Sequence, residues 1–189
     1  MPGLDEIRRA LEGAWLIARR DPAAMSRFDF TVEGFWASFF AAAIAAPGYF
    51  ILLASDYAEQ GFGANLGEVV LIEALAYAVL WIAFPVMALL LTQALSLGHR
   101  YVPLVVAGNW GAVLQVALLV AVTLVGSFLP ESGRTVLRLT AMLVALTYQW
   151  QVIRTSLETT GLVATGFMAV DILLAEMIRR GTDALVQPA

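Results

Sequence analysis

Residues 35–54, "FWASFFAAAIAAPGYFILLA", run for twenty positions without a charge. At about 1.5 Å per residue, a helix of that length covers the roughly 30 Å hydrocarbon core of a bilayer. A helix on the surface of a soluble domain would carry a polar face over such a distance. Four further apolar runs follow, at about residues 69–95, 111–129, 135–153 and 161–178. In lipid each segment must satisfy its own backbone donors and acceptors, so each run is predicted to be helical. Composition agrees, with 60% hydrophobic and 14% charged residues, where soluble domains average about 45–50% and about 25%. The sequence therefore predicts an all-α integral membrane protein, a five-transmembrane-helix bundle over residues 35–178.

Residues 1–22 read differently. Leu4, Ile7, Leu11, Trp15 and Ala18 recur at spacings of three and four, while Asp5, Glu6, Arg8, Arg9, Glu12, Arg19 and Arg20 fill the remaining positions. That pattern predicts an N-terminal amphipathic interfacial helix ended by Pro22. A helix packed on the protein's own loops would give the same pattern. The apolar stretch "AWLIA" is too short, and too mixed with acids, for a secretory signal.

Details within the spans suggest how they pack. Ala42, Ala45, Ala46 and Gly48 form a small-residue surface where another helix can approach. Pro47-Gly48 and Pro85 are expected to kink their helices. "VPLVVAGNWG" is interrupted by Pro103, Gly108, Asn109 and Gly111, so residues 96–110 read as a connector and Gly111 as the start of the third span. "PESGR" is too short for anything but a tight antiparallel hairpin between the third and fourth spans. Trp15, Trp36, Trp110 and Trp150 fall at predicted boundaries, as interfacial anchors do.

All eleven basic residues are arginine, and there is no lysine and no cysteine. With so much alanine, this usage points to a GC-rich bacterial genome, and so to a bacterial inner membrane. Five arginines (Arg8, Arg9, Arg19, Arg20 and Arg27) precede the first span and none lies in the loop "SDYAEQGFGANLGE" after it. By the positive-inside rule the N-terminus is cytoplasmic. Five spans then carry the C-terminus to the periplasm, with seven arginines inside and four outside.

The last run contains "AVDILLAEMIRR". Asp171 lies mid-segment, where a short side chain cannot reach the interface. It must face protein or water, or be protonated. A buried hydrogen bond to Tyr148 or Thr147 would serve, and so would a proton- or ligand-handling role. Glu73, Arg138 and Glu176 share one depth near the outer interface, which suggests that Arg138 pairs with Glu73 or Glu176. Gln93, Gln115, Gln149 and Gln151 are placed to tie helices together.

Chemistry is otherwise sparse. His99 is the only histidine, so no metal centre is expected. "GFGANLG" lacks the lysine and setting of a phosphate loop. No nucleophile–histidine–acid arrangement is present, so no catalytic residue and no cofactor are predicted. The net charge of −4 and the lack of a basic, aromatic-laced stripe argue against nucleic acid. The predicted partners are the lipid bilayer, further copies of the chain and other membrane proteins.

"ALSLGHRYVP" closes a long helix, a hairpin of two spans follows, and "LTYQWQVIRTSLETTG" forms an aromatic boundary before a final helix. In this arrangement residues 70–178 resemble the Yip family, the Ypt-interacting-protein-like membrane proteins, in their short bacterial form. The resemblance implies five spans, a cytoplasmic N-terminus and a short outward C-terminus. Eukaryotic members are implicated in membrane traffic and bind small GTPases. This chain departs from them in having little N-terminal region beyond its amphipathic helix, and no residue role carries over.

Two functions fit. One is a non-enzymatic membrane-organising or scaffold factor acting through helix packing. The other is a small transporter, or a subunit of one, with Asp171 as an intramembrane protonatable group; broken helices often mark such sites. The second rests on the last run crossing the membrane. Reporters fused after Ala189, one active only inside the cell and one only outside, are expected to report outside. A signal from inside would make residues 161–178 interfacial or re-entrant.

Overall fold

The computed structural model describes residues 1–60 and 66–186. The "GFGANLG" loop falls largely outside the described residues. The described elements are helices: α1 (Leu4–Ala18), α2 (Val32–Ser38), α3 (Phe40–Gln60), α4 (Leu66–Ala94), α5 (Tyr101–Gly126), α6 (Glu131–Leu157) and α7 (Gly161–Val186). Short 3-10 turns lie at Ala24–Arg27 and Gly98–Arg100. α2 and α3 follow one another as a single span, Val32–Ala58, and α4 to α7 supply four more helices long and apolar enough to cross a membrane. The chain is a multi-pass membrane protein. Successive spans alternate in direction, which puts the N-terminus, the α4–α5 turn and the α6–α7 turn at one end, called proximal here. The α5–α6 turn and the end of α7 lie at the other, distal end.

α5 is the central helix. It packs against α1, α2, α3, α4 and α6, while α7 closes the bundle against α4 and α6. Close approach explains much of this. A Cβ on Gly48 would come within 2.5 Å of Val116, one on Gly108 within 3.0 Å of Phe84, and one on Gly111 within 3.2 Å of the Tyr148 hydroxyl. Ala41 and Ala45 are buried on the same side of α3 as Gly48. Part of the small-residue surface read from the sequence is thus spent inside the bundle. Ala42 contributes its carbonyl, which accepts from the Tyr77 hydroxyl at 2.6 Å.

Residues 96–110 are mostly not a connector, which corrects the sequence reading. Helix α5 begins at Tyr101, and Leu104, Val105, Val106, Ala107, Asn109, Trp110 and Gly111 are all buried. Pro103 lies in the first turn, where its missing N–H has no intrahelical partner to lose. Gly108 and Gly111 are contact points, not breaks. Trp110 is only 2% exposed, so it is a core residue and not an interfacial anchor. Trp15 and Trp36, 54% and 67% exposed, do face outward. Trp150 ties α6 to the start of α7, its indole N–H donating to Thr165 Oγ1 at 3.1 Å and to the Gly161 carbonyl at 3.3 Å.

Other boundaries also move. The chain breaks helical continuity at Phe39, between α2 and α3, and runs on through Pro47. α6 starts at Glu131, so the hairpin turn is residues 127–130 and not "PESGR". α3 and α4 extend into the loop expected at residues 55–68. α7 continues past residue 178 because its polar end is held by pairs at helical spacing. Glu176 accepts from Arg179 at 2.9 Å and from Arg180 at 2.7 Å, and Arg179 reaches Asp183 at 2.7 Å.

α1 docks on the bundle. Ala10, Gly13, Ala14 and Ile17 are buried, and Ala10, Ala14 and Ile17 share one core cluster with Val106, Ala107, Trp110 and Val152. The Tyr148 hydroxyl donates to the Ala14 carbonyl at 3.0 Å, and Gln151 donates to the Ile17 carbonyl at 2.8 Å. The buried stripe is therefore not the predicted one: Leu4 and Trp15 stay exposed beside it. The sequence reading ranked residues by size and hydropathy, whereas docking here uses the small ones. Asp29 and Thr31 shape the entry to α2. Asp29 accepts the Thr31 N–H at 2.9 Å, a bond that holds its carboxyl below the usual range, and Thr31 caps α2 by accepting from Gly34.

Gly48→Ala is expected to destabilise the bundle by about 1–3 kcal/mol through overpacking. Ala43→Leu, on the exposed side of α3, should be near neutral. Reversible unfolding in mixed micelles would measure both.

Candidate functional site

The five spans converge on a cavity of about 420 Å³. That size is within the roughly 300–1,000 Å³ typical of small-molecule sites. α3 contributes Ala45 and Tyr49; α4 contributes Tyr77, Leu80, Trp81 and Phe84; α5 contributes Gly108, Asn109, Ala112, Gln115, Val116 and Leu119. α6 adds Met142, Ala145, Leu146 and Gln149, and α7 adds Asp171 and Ile172. Asp171 is ten residues into α7 from Gly161, about 15 Å along the helix and so near mid-depth.

One wall is polar. Gln115 Nε2 donates to Gln149 Oε1 at 2.8 Å, and Gln149 Nε2 donates to Asp171 Oδ2 at 3.3 Å. Three helices are joined by this chain, in which Gln115 donates to Gln149 and Gln149 alone donates to the acid. The sequence reading offered Tyr148 or Thr147 as the partner of Asp171. Tyr148 turns to α1, and Thr147 bonds back to the Leu143 carbonyl at 2.8 Å. Gln149 lies on the α6 face between them. Gln115 and Gln149 both tie helices and line the cavity. Asn109 is linked to α2, donating to Ser38 Oγ at 2.9 Å.

Another part of the lining, on α3 and α4, is aromatic. Tyr49 and Tyr77 rings lie 4.6 Å apart, and Tyr77 and Trp81 rings 6.0 Å apart. The Tyr77 hydroxyl is engaged by Ala42, and the Tyr49 hydroxyl donates to Glu73 at 3.2 Å. What these tyrosines offer the cavity is therefore mostly ring surface. Sequence reasoning missed this wall, although Tyr77, Trp81 and Phe84 fall at spacings of four and three, along one helical face.

Glu73 sits just distal to the cavity, 6% exposed. Tyr57 donates to its Oε1 at 2.9 Å and Tyr49 to its Oε2. Glu176 is out on the exposed end of α7 with Arg179 and Arg180. The two carboxylates expected to take Arg138 thus have these other partners. Arg138, on α6, is itself engaged. Of the four charged residues singled out in the sequence, only Asp171 lines the cavity.

No protein-family model, curated protein or solved structure matches the chain.

Gln149→Leu would strand the Gln115 carboxamide and remove the hydrogen bond to Asp171. Leaving such groups unpaired costs about 1–3 kcal/mol. Adding Asp171→Leu to that variant is expected to recover part of the loss. Purely additive losses, measured by the same micellar unfolding, would show that the two residues are not coupled.

Proposed function

We propose that the protein is a small-molecule carrier, or a subunit of one, with the cavity between the five spans as its site. The observation that carries this reading is convergence: every span supplies lining residues, and the polar chain Gln115–Gln149–Asp171 ends there on an acid. Ionisable groups at membrane depth are costly and tend to mark substrate or proton paths. Hydrogen bonds from Gln149 orient Asp171 without neutralising it, which suits a group that must exchange a proton or a ligand.

The self-association reading has less support. Part of the small-residue face it relied on is used within the chain: Ala45 is buried and Gly48 meets Val116 and Val120, while Ala42 and Ala46 stay partly exposed.

The chain has no cysteine, so single cysteines can be introduced without background. Ala112→Cys and Gln149→Cys, in sealed vesicles, are expected to react with a membrane-impermeant methanethiosulfonate reagent from either side. Leu173→Cys, on the exposed face of α7, should stay unreactive. A carrier must expose its site to both sides in turn, so cavity cysteines silent from one side or from both would sink the proposal.

A further inference from the structure

The chemistry of the lining narrows the class of ligand, on the premise that the cavity is a binding site. Among the described residues, Asp171 is the only lining residue with a formal charge, and no arginine lines the cavity. Among the described residues its one hydrogen bond comes from Gln149, to Oδ2. Oδ1 is left to the cavity. Glu73, the other acid within the bundle described above, is already held by Tyr49 and Tyr57.

The same cavity is lined by Tyr49, Tyr77, Trp81 and Phe84, on α3 and on α4, the helix that packs against α7. Aromatic ring faces carry negative potential and attract cations, most of all where water is excluded. A neutral apolar ligand would need the aromatic wall but would leave Asp171 unsatisfied. An anion would meet both an acid and negative ring faces. An inorganic cation would demand several oxygen ligands, and the lining is mostly hydrocarbon. A single class satisfies both walls at once, an organic ammonium whose nitrogen faces the carboxylate and whose carbon substituents lie on the rings. We infer that the cavity binds a small organic cation, with Asp171 as counter-ion and the aromatic residues of α3 and α4 as its cage.

The charge balance favours this. An acid at mid-depth is expensive when ionised and alone. A cationic ligand supplies the missing charge from within the site and releases Asp171 from the need for a proton. Ligand and proton would then compete for one carboxylate, so uptake of the cation in one direction would drive proton movement in the other. Proton and cation balance one for one in such an exchange, and no other reactant is required.

The test uses two probes of nearly equal shape, phenyltrimethylammonium and its uncharged isostere tert-butylbenzene. Binding is measured by equilibrium dialysis against the full chain in lipid nanodiscs, corrected with empty nanodiscs. The cation is expected to bind at least tenfold more tightly than the isostere. Asp171→Asn should abolish that preference and leave the isostere unaffected, while Asp171→Glu should retain it. Equal binding of the two probes would overturn the cation assignment and leave the cavity reading standing. A preference that survives Asp171→Asn would overturn the role of Asp171. If neither probe binds, the cavity reading falls along with the cation.

Discussion

A helix in lipid gains little from burying its apolar side chains, because the solvent it leaves is as apolar as the protein it meets. Association rests instead on close packing and on polar contacts. Here that requirement is met around α5. Gly48 admits Val116, Gly108 admits Phe84, and Gly111 admits the Tyr148 ring. Because α5 is held at these points, α3, α4 and α6 are fixed around it, and α7 can complete the ring only against α4 and α6. The cavity is what remains in the middle. It is bounded by helices whose positions are set elsewhere, by contacts that a single methyl group would disturb.

The same packing explains how the polar groups are arranged. Three groupings of amide, hydroxyl and carboxyl groups within the spans are tied across helices: Ser38 with Asn109, Tyr49 and Tyr57 with Glu73, and Gln115 with Gln149 and Asp171. Two of these groupings end on an acid. Glu73 is enclosed, with both carboxylate oxygens accepting hydroxyls, whereas Asp171 keeps an oxygen open. Two acids in one bundle thus have different duties, one knitting α3 to α4 and one facing the shared space.

Five spans were legible because length and hydropathy alone dictate them. The α5 boundary was not, because proline and glycine carry opposite meanings in different places. Pro103 in a first turn starts a helix, and glycines at a helix crossing permit contact, but in a linear string both look like breaks. Trp110 was misjudged for the same reason, since an indole beside a supposed boundary looks like an anchor. Asp171 stood out from its neighbours by depth. Its partner was missed by one residue, because the rotation of α6 relative to α7 is fixed by tertiary packing and not by either helix's own pattern. The aromatic wall went unnoticed since rings in an apolar helix carry no contrast. Only the fold brings Tyr49 beside Tyr77.

The docking of α1 bears on how the chain is made. Its two hydrogen-bond partners, Tyr148 and Gln151, each lie 134 residues downstream of the carbonyls they bind. At about 5–20 residues per second, each carbonyl of α1 is made roughly 7–27 seconds before its partner. During that interval its exposed Leu4 and Trp15 and the apolar residues that later become buried need somewhere to rest. The membrane surface suits an amphipathic helix of this kind. The docked position of α1 is thus a late feature of the chain, one that closes only once α6 exists to receive it.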